Sequence, residues 1–435
     1  MASPSTPDSS GPEEIDVTAS LDDLRRETGR QLEHWRLAAV RLGNLDAVAP
    51  TSAWGGLEHY LGVALRQTLH EIVARLIRTA DDIARRLARA GSPEAVAEVR
   101  GALLEFRRAY IRAETSVDFF EDALSSRAAP EMGALLRACD HIATRSMAEA
   151  LTPLGRQVPA ALSYLGDAGL GASVLKAGLR LWDGTAENPV AAIKVTRHNL
   201  LRPTSIIHEA GHQVAHMLGW NDELRAALLT ASSDRRAGES YASWATEIAA
   251  DAFAFVHTGY ASVAALHDVI DGPDDAVFQY LPTDPHPVSY LRLLVTVEWC
   301  RLSFGEGPWD AMEATWTAHH PLERAPEGLR EFLAACVAVL PQVAAVVLRG
   351  RYRAFCGGAL TSVVDPQRVS PAALAQLERS LGAAAHTSPY WIWNESIRLL
   401  ALNGYRAAEG AVGLRTAGVR QEQWMLRLGG LRLTA

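Results

Sequence analysis

Leu57, Leu61, Leu65, Leu69, Ile72, Leu76, Ile83 and Leu87 recur mostly every three or four residues. That spacing gathers apolar side chains on one face of a 3.6-residue helix and predicts one long amphipathic helix. The next helix is expected to start at Ser92-Pro93-Glu94, where serine can cap free amides and proline fills the first helical position. It carries Val96, Val99, Leu103, Phe106 and Tyr110 on a similar stripe, and Pro130-Glu131 opens another helix. Residues 19–155 therefore read as an N-terminal helical bundle behind a disordered tail at 1–18. Heptads are not sustained strictly enough to specify a coiled coil.

The pattern then changes. Gly166, Gly169, Gly171, Gly178 and Gly184, with Leu179-Arg180-Leu181-Trp182, mark a transition from the bundle to a small sheet. Pro189 to Thr196 is Pro-bounded and rich in β-branched residues, as a strand would be. Pro203-Thr204 marks the turn into a helix whose apolar stripe is Ile207, Ala210, Val214 and Leu218. Gly211 sits in mid-helix, and its missing side chain is expected to admit a neighbouring element closely. A further helix is expected over Glu239–Phe255, followed by a rigid turn at Pro282–Pro287. Helical patterns then run from 288 to the end, with Ser370-Pro371 as another helix start. The expected fold class is mainly α with a small β-sheet.

The candidate chemistry lies in the middle of the chain. His208-Glu209-Ala210-Gly211-His212 places two imidazoles at i and i+4, on one helix face, where both can bind one zinc ion. Glu209 is positioned to take a proton from zinc-bound water. A catalytic zinc needs a third protein ligand and leaves the fourth position to water. Glu247 and Asp251 are again at i and i+4, which suits Glu247 as the third ligand and Asp251 as acceptor for the free ring N–H of a ligand histidine. His216 is the rival third ligand, but eight residues from His208 it has turned about 80° round the helix.

These residues resemble the gluzincin metallopeptidases, with H-E-x-x-H on one helix and E-x-x-x-D on a later one. Glu247-Ile248-Ala249-Ala250-Asp251, followed by His286-Pro287-Val288-Ser289-Tyr290-Leu291-Arg292, looks most like the branch of HtpX-like and CAAX-prenyl endopeptidases. The resemblance covers about residues 189–292. It implies a zincin-like α+β catalytic core, assigned to 156–320; the helical patterns beyond it give a C-terminal helical region at 321–435. It also implies an edge strand just before the zinc helix, against which substrate backbone pairs. Members of that branch are commonly membrane-embedded, so substrate and location do not carry over. The implied activity is a zinc endopeptidase with one zinc per chain on His208, His212 and Glu247. Glu209 is the general base, and His286 is the leading stabiliser of the oxyanion. Arg292, Tyr290 and Tyr241 are further candidates for that role.

Composition adds limits. The chain has 435 residues, 48% of them hydrophobic and 21% charged, which fits two or three globular domains. A net charge of −8 gives no support to nucleic-acid binding. Four scattered cysteines without a C-x-x-C pair point to a reducing compartment and away from a cysteine zinc site. The N-terminus lacks the basic and apolar regions of a signal peptide, so the expected location is cytoplasmic, with signal-less export as the other route. The apolar run Phe332–Leu348 is broken by Pro341-Gln342 and reads as a buried helix or helix pair rather than a membrane span. The expected partners are a peptide or protein substrate and a protein docking on the N-terminal bundle. The alternative is a non-catalytic helical adaptor in which zinc pins the central fold. Against it, a structural site has no use for Glu209 as a base.

Overall fold

The computed structural model describes residues 19–166, 172–178, 188–410 and 413–431. The tail at 1–18, Gly169, Gly171, the Leu179–Trp182 run and Gly184 lie outside them. The described chain is mainly helical with one three-stranded sheet, the expected fold class. It forms two compact units: residues up to Pro50 together with 64–118, and 51–63 together with the chain from Phe119 onward.

The smaller unit is helical. Helix α1 (Leu21–Leu42) is capped by Ser20, whose hydroxyl accepts from the Asp23 amide at 3.1 Å. The long helix expected from Leu57 to Leu87 is in fact two: α2 (Thr51–Leu61), which belongs to the larger unit, and α3 (Leu65–Arg89), which belongs to the smaller. They part at Gly62, whose φ of 68° a helix cannot carry and a side chain would resist. Helix α4 (Pro93–Ser126) starts where Ser92 and Pro93 predict it, and its stripe from Val96 to Tyr110 is buried. Leu65, Leu69, Ile72, Leu76 and Ile83 of α3 are buried too. Arg36 Nε on α1 donates to Asp81 on α3 at 3.0 Å, and the Trp35 ring packs on Tyr110 of α4.

In the larger unit, α5 (Pro130–Leu151) departs from the expected bundle at 19–155. It packs on strand β1 (Ala160–Leu165), on α6 (Thr204–Leu218), which carries the H-E-x-x-H residues, and on the last helix, Leu414–Gly430. The reason is its apolar content, which wraps the helix: Leu135, Leu136, Cys139, Ile142, Met147 and Leu151 are all buried. A helix with that many buried faces needs neighbours on several sides. The Arg127 guanidinium and the Tyr60 hydroxyl both donate to Asp140 of α5, which also accepts from the Ser163 amide of β1. Nor does 321–435 stand apart as a separate compact unit; its helices share the core of the larger unit.

The sheet order is β1, β3 (Val190–Val195), β2 (Ser173–Leu175). β3 pairs in parallel with β1, from Ala160 opposite Val190 to Leu165 opposite Val195, and antiparallel with β2, Val174 opposite Ile193. The strand before α6 is therefore central rather than an edge. Val190, Ala191, Ala192, Ile193 and Val195 are buried, as a strand covered on both faces requires. The edges of this sheet are β1 and β2.

The helix expected over Glu239–Phe255 is α8 (Arg235–Ser243) and α9 (Ala245–Thr258), which follow α7 (Trp220–Leu229) and break at Trp244. The Trp244 indole is buried there against Tyr241 and Tyr280. Next come α10 (Tyr260–Ile270), α11 (Asp274–Val277) and α12 (Ser289–Phe304). Among the described residues no single helix is long and apolar enough to cross a membrane. The apolar run is two helices, Glu327–Ala338 and Leu340–Arg349, bent by 50° and burying Leu333, Cys336, Val343 and Val347. Ser370 caps the helix Pro371–Leu381 as expected.

Candidate metal centre

Helix α6 presents His208 and His212, and α9 lies across it with Glu247 and Asp251. Gly211 permits the crossing. A Cβ built on it would stand 2.8 Å from the Phe253 Cβ and 3.0 Å from the Ala250 Cα, closer than side chains tolerate. The close approach expected of this glycine is present, and it brings three ligating atoms together.

His208 Nε2 is 3.5 Å from Glu247 Oε2, and His212 Nε2 is 3.2 Å from Glu247 Oε1. Zinc bonds of about 2.0–2.1 Å in tetrahedral geometry give ligand-to-ligand edges of about 3.3–3.4 Å. The spacing and the two-nitrogen, one-oxygen donor set therefore fit zinc. One donor atom from each of these three residues lies within 4.8 Å of the others, the one such group among the described residues. His216 is not part of it. Exposed one turn further along α6, it stands off this cluster.

Around the triad the carboxylates are held in place. His208 Nδ1 lies 2.8 Å from Asp251 Oδ1, which fixes the ring and turns Nε2 toward Glu247. Arg292 of α12 donates from Nε and Nη2 to both Asp251 oxygens at 2.7 and 2.8 Å, and from Nη2 to Glu247 at 3.3 Å. Nε and Nη2 of Arg292 are thus committed to the Asp251 and Glu247 carboxylates. Glu209, Glu247 and Asp251 are all buried beside Arg292; with both histidines neutral, as metal ligation requires, that leaves an excess of two negative charges, which a divalent ion would neutralise.

The titration behaviour follows from this crowding. Burial would depress the His208 imidazole, but Asp251, then Glu247 and Glu209, raise it to about 10. Burial would lift the Asp251 carboxyl, yet Arg292 and His208 hold it at about 2. Glu247 is likewise pushed down, burial being outweighed by the two histidines and Arg292. Glu209 moves the other way: burial raises its carboxyl, and the neighbouring histidines pull it back only in part.

The triad opens into a cavity of about 610 Å³. Glu209, His286 and Arg292 line it near the ligands. Val263, Leu266 and Val269 of α10 form an apolar wall, and Ser173, Val174 and Lys176 lie along edge strand β2 and its end. His286 is half exposed, with Nε2 3.5 Å from Glu247 Oε2 and Nδ1 2.7 Å from Asp284 Oδ1. Asp284 was not singled out in the sequence. It stands two residues before His286 in a Pro-rich turn, and i to i+2 Asx geometry was the available signal.

Two predicted residues do not reach the cavity. Tyr241 is fully buried on α8, and its hydroxyl donates to the Cys336 carbonyl at 3.1 Å; the break at Trp244 turns it toward the core. Tyr290 is buried against Phe278 and Trp316. It sits two residues, and so about 200° round α12, from Arg292, which leaves it on the opposite face.

No family model matches the chain, and no curated protein or solved structure matches it.

Proposed function

We propose that the protein is a zinc-dependent endopeptidase of the gluzincin type. The observation that carries this reading is the convergence of His208, His212 and Glu247, one donor atom of each within 4.8 Å of the others, with a buried Glu209 carboxylate lining the cavity beside them. A site built only to hold structure would close the fourth position with protein; this one opens into a cavity large enough for a peptide segment. When bound, zinc would polarise the scissile carbonyl and make water acidic enough to attack near neutral pH.

The protein groups divide the remaining work. Glu209 accepts a proton on its carboxylate from the attacking water and returns it to the leaving amine. Its raised proton affinity, caused by burial, suits a group that must both take and give a proton near neutrality. Asp251 fixes His208, and Arg292 fixes Asp251 and Glu247, so the ligands keep their geometry while substrate binds. His286, held at Nδ1 by Asp284, turns Nε2 toward the metal side and is the side chain best placed to donate to a developing oxyanion. Edge strand β2 is the strand along which extended substrate backbone would pair.

The test compares Glu209→Gln with wild type, measuring zinc per chain and cleavage of a mixed peptide library. The expected result is one zinc in both and a loss of cleavage in the variant of about 100- to 10,000-fold. Undiminished cleavage would remove Glu209 as the base, and a folded wild type that takes up no zinc would overturn the reading altogether.

A further inference from the structure

The cavity that holds the triad is lined by three Lys and Arg side chains, and their charges are not treated alike. Arg292 is paired with Asp251 and Glu247, and Arg202 with Asp268 of α10. Lys176, just past edge strand β2, pairs with no carboxylate among the described residues. With a divalent ion neutralising the carboxylate excess at the triad, Lys176 lines the substrate space with no carboxylate partner among the described residues.

The backbone that presents Lys176 is fixed with unusual thoroughness. Gln213, fully buried on α6 and adjacent in sequence to His212, clamps Ala177 from both sides. Its Oε1 accepts from the Ala177 amide at 2.7 Å and its Nε2 donates to the Ala177 carbonyl at 3.2 Å. Asn188, also buried, donates to the Lys176 carbonyl at 3.2 Å, and its own carbonyl accepts from the Gly178 amide at 2.9 Å. Three consecutive residues are thus locked, two of these bonds running to the helix that carries the metal ligands. Burying two side-chain amides for this purpose is costly unless each is satisfied, and both serve to hold one short stretch. The Lys176 charge also helps to lower the proton affinity of His216, after burial, which puts the ammonium near the last turn of α6.

We infer that Lys176 is a specificity-determining residue that binds a carboxylate of the peptide substrate, within the same cavity as the His208, His212 and Glu247 centre. The carboxylate is either an Asp or Glu side chain near the scissile bond or the free C-terminus of a short peptide. This rests on the metallopeptidase reading of the site. The fixed backbone sets where the Lys176 side chain starts, and a charge-assisted bond in a partly enclosed cavity is stronger than one in open water.

The test uses zinc-loaded wild type, Lys176→Met and Lys176→Glu on a library of internally quenched peptides. Members are paired as Glu against Gln and Asp against Asn at each position, with the C-terminus free or amidated. In wild type one position should favour the carboxylate member by about tenfold or more in kcat/KM, mainly through KM. The preference should vanish in Lys176→Met and turn toward basic residues in Lys176→Glu. Sensitivity to amidation assigns the carboxylate to the chain end, and insensitivity assigns it to a side chain. Zinc content and thermal unfolding report whether the variants fold. If neither does, anisotropy titration of zinc-loaded Glu209→Gln with the paired peptides reads the same preference as a ratio of Kd values. Cleavage by wild type without preference, or a preference that survives Lys176→Glu, overturns the inference and leaves the peptidase reading standing. Lower stability with unchanged preference would make Lys176 a partner of the α6 C-terminus instead. Neither cleavage nor zinc in folded wild type overturns both.

Discussion

Replacing Gly211 by alanine adds one methyl group at the place where α6 and α9 cross. That methyl would sit 2.8 Å from the Phe253 Cβ, 3.0 Å from the Ala250 Cα and 3.1 Å from the Ala250 carbonyl oxygen. Carbon–carbon contacts are comfortable at about 3.5–4.0 Å, so relief requires the helices to part by about 0.7 Å. Two of the three obstacles are backbone atoms, which no rotamer change can move. Glu247 lies within one turn of Ala250 on α9, so the same displacement would stretch the 3.2 Å separation between His212 Nε2 and Glu247 Oε1. Metal–ligand bonds tolerate changes of about 0.2 Å. Alanine improves helix propensity by about 1 kcal/mol, while overpacking costs about 1–3 kcal/mol, so stability falls by at most about 2 kcal/mol and the chain should still fold. Zinc affinity is the sensitive quantity, and we expect it to fall tenfold or more. Competition against a chromophoric chelator measures it, with Gly101→Ala as the control. A Cβ at Gly101 meets nothing within 4 Å, so that variant should lose no affinity. Unchanged affinity in Gly211→Ala would refute the claim that this glycine sets the ligand geometry.

Other outcomes follow from the same structure, besides those expected of Glu209→Gln and the Lys176 variants. Arg292→Met removes the partner of two buried carboxylates and should cost about 3–5 kcal/mol, with weakened zinc binding. Arg292→Lys should rescue little, because an ammonium cannot reproduce the forked contact to both Asp251 oxygens. Thermal unfolding with and without zinc tests both; a lysine variant equal to wild type would sink the argument. A second test concerns acid. Burial, reinforced by Arg145 and partly offset by the hydrogen bond with the Trp393 carbonyl, lowers His141 from an ordinary 6.5 to about 4. The unfolded chain therefore takes up this proton first. Stability is complete above about pH 6.5, falls as pH drops toward 4, and levels off below that, with a total loss of up to about 3 kcal/mol. Denaturation at pH 7.5 and pH 4.5 should show a smaller acid loss in His141→Asn than in wild type. An equal loss would mean that His141 is not the group responsible.

Much of the local architecture was written in the chain. Proline and serine pairs announced the starts of α4 and of the helix Pro371–Leu381, because caps and φ restriction act within a few residues. The stripe from Val96 to Tyr110 predicted its own burial, the β-branched run of β3 its strand, and the mid-helix Gly211 its close approach. His208 and His212 share a face by helical geometry alone, and the same holds for Glu247 and Asp251. What periodicity could not supply was the assembly. One glycine, Gly62, divides a continuous leucine pattern into α2 and α3, and a buried indole, Trp244, divides α8 from α9. Strand order has no local signature, so an edge and a centre were confused until β2 was seen to cover β3. Tyr241 and Tyr290 carried suitable chemistry but face the core, a matter of helix rotation fixed by packing. The pairing of Arg292 with Asp251 and the clamp of Gln213 on Ala177, next to Lys176, join residues 41 and 36 apart along the chain. Sequence determined which groups could do chemistry and which short segments would be helical. Only the tertiary structure decided which of those groups meet, because burial and long-range hydrogen bonding act between segments that no local spacing relates.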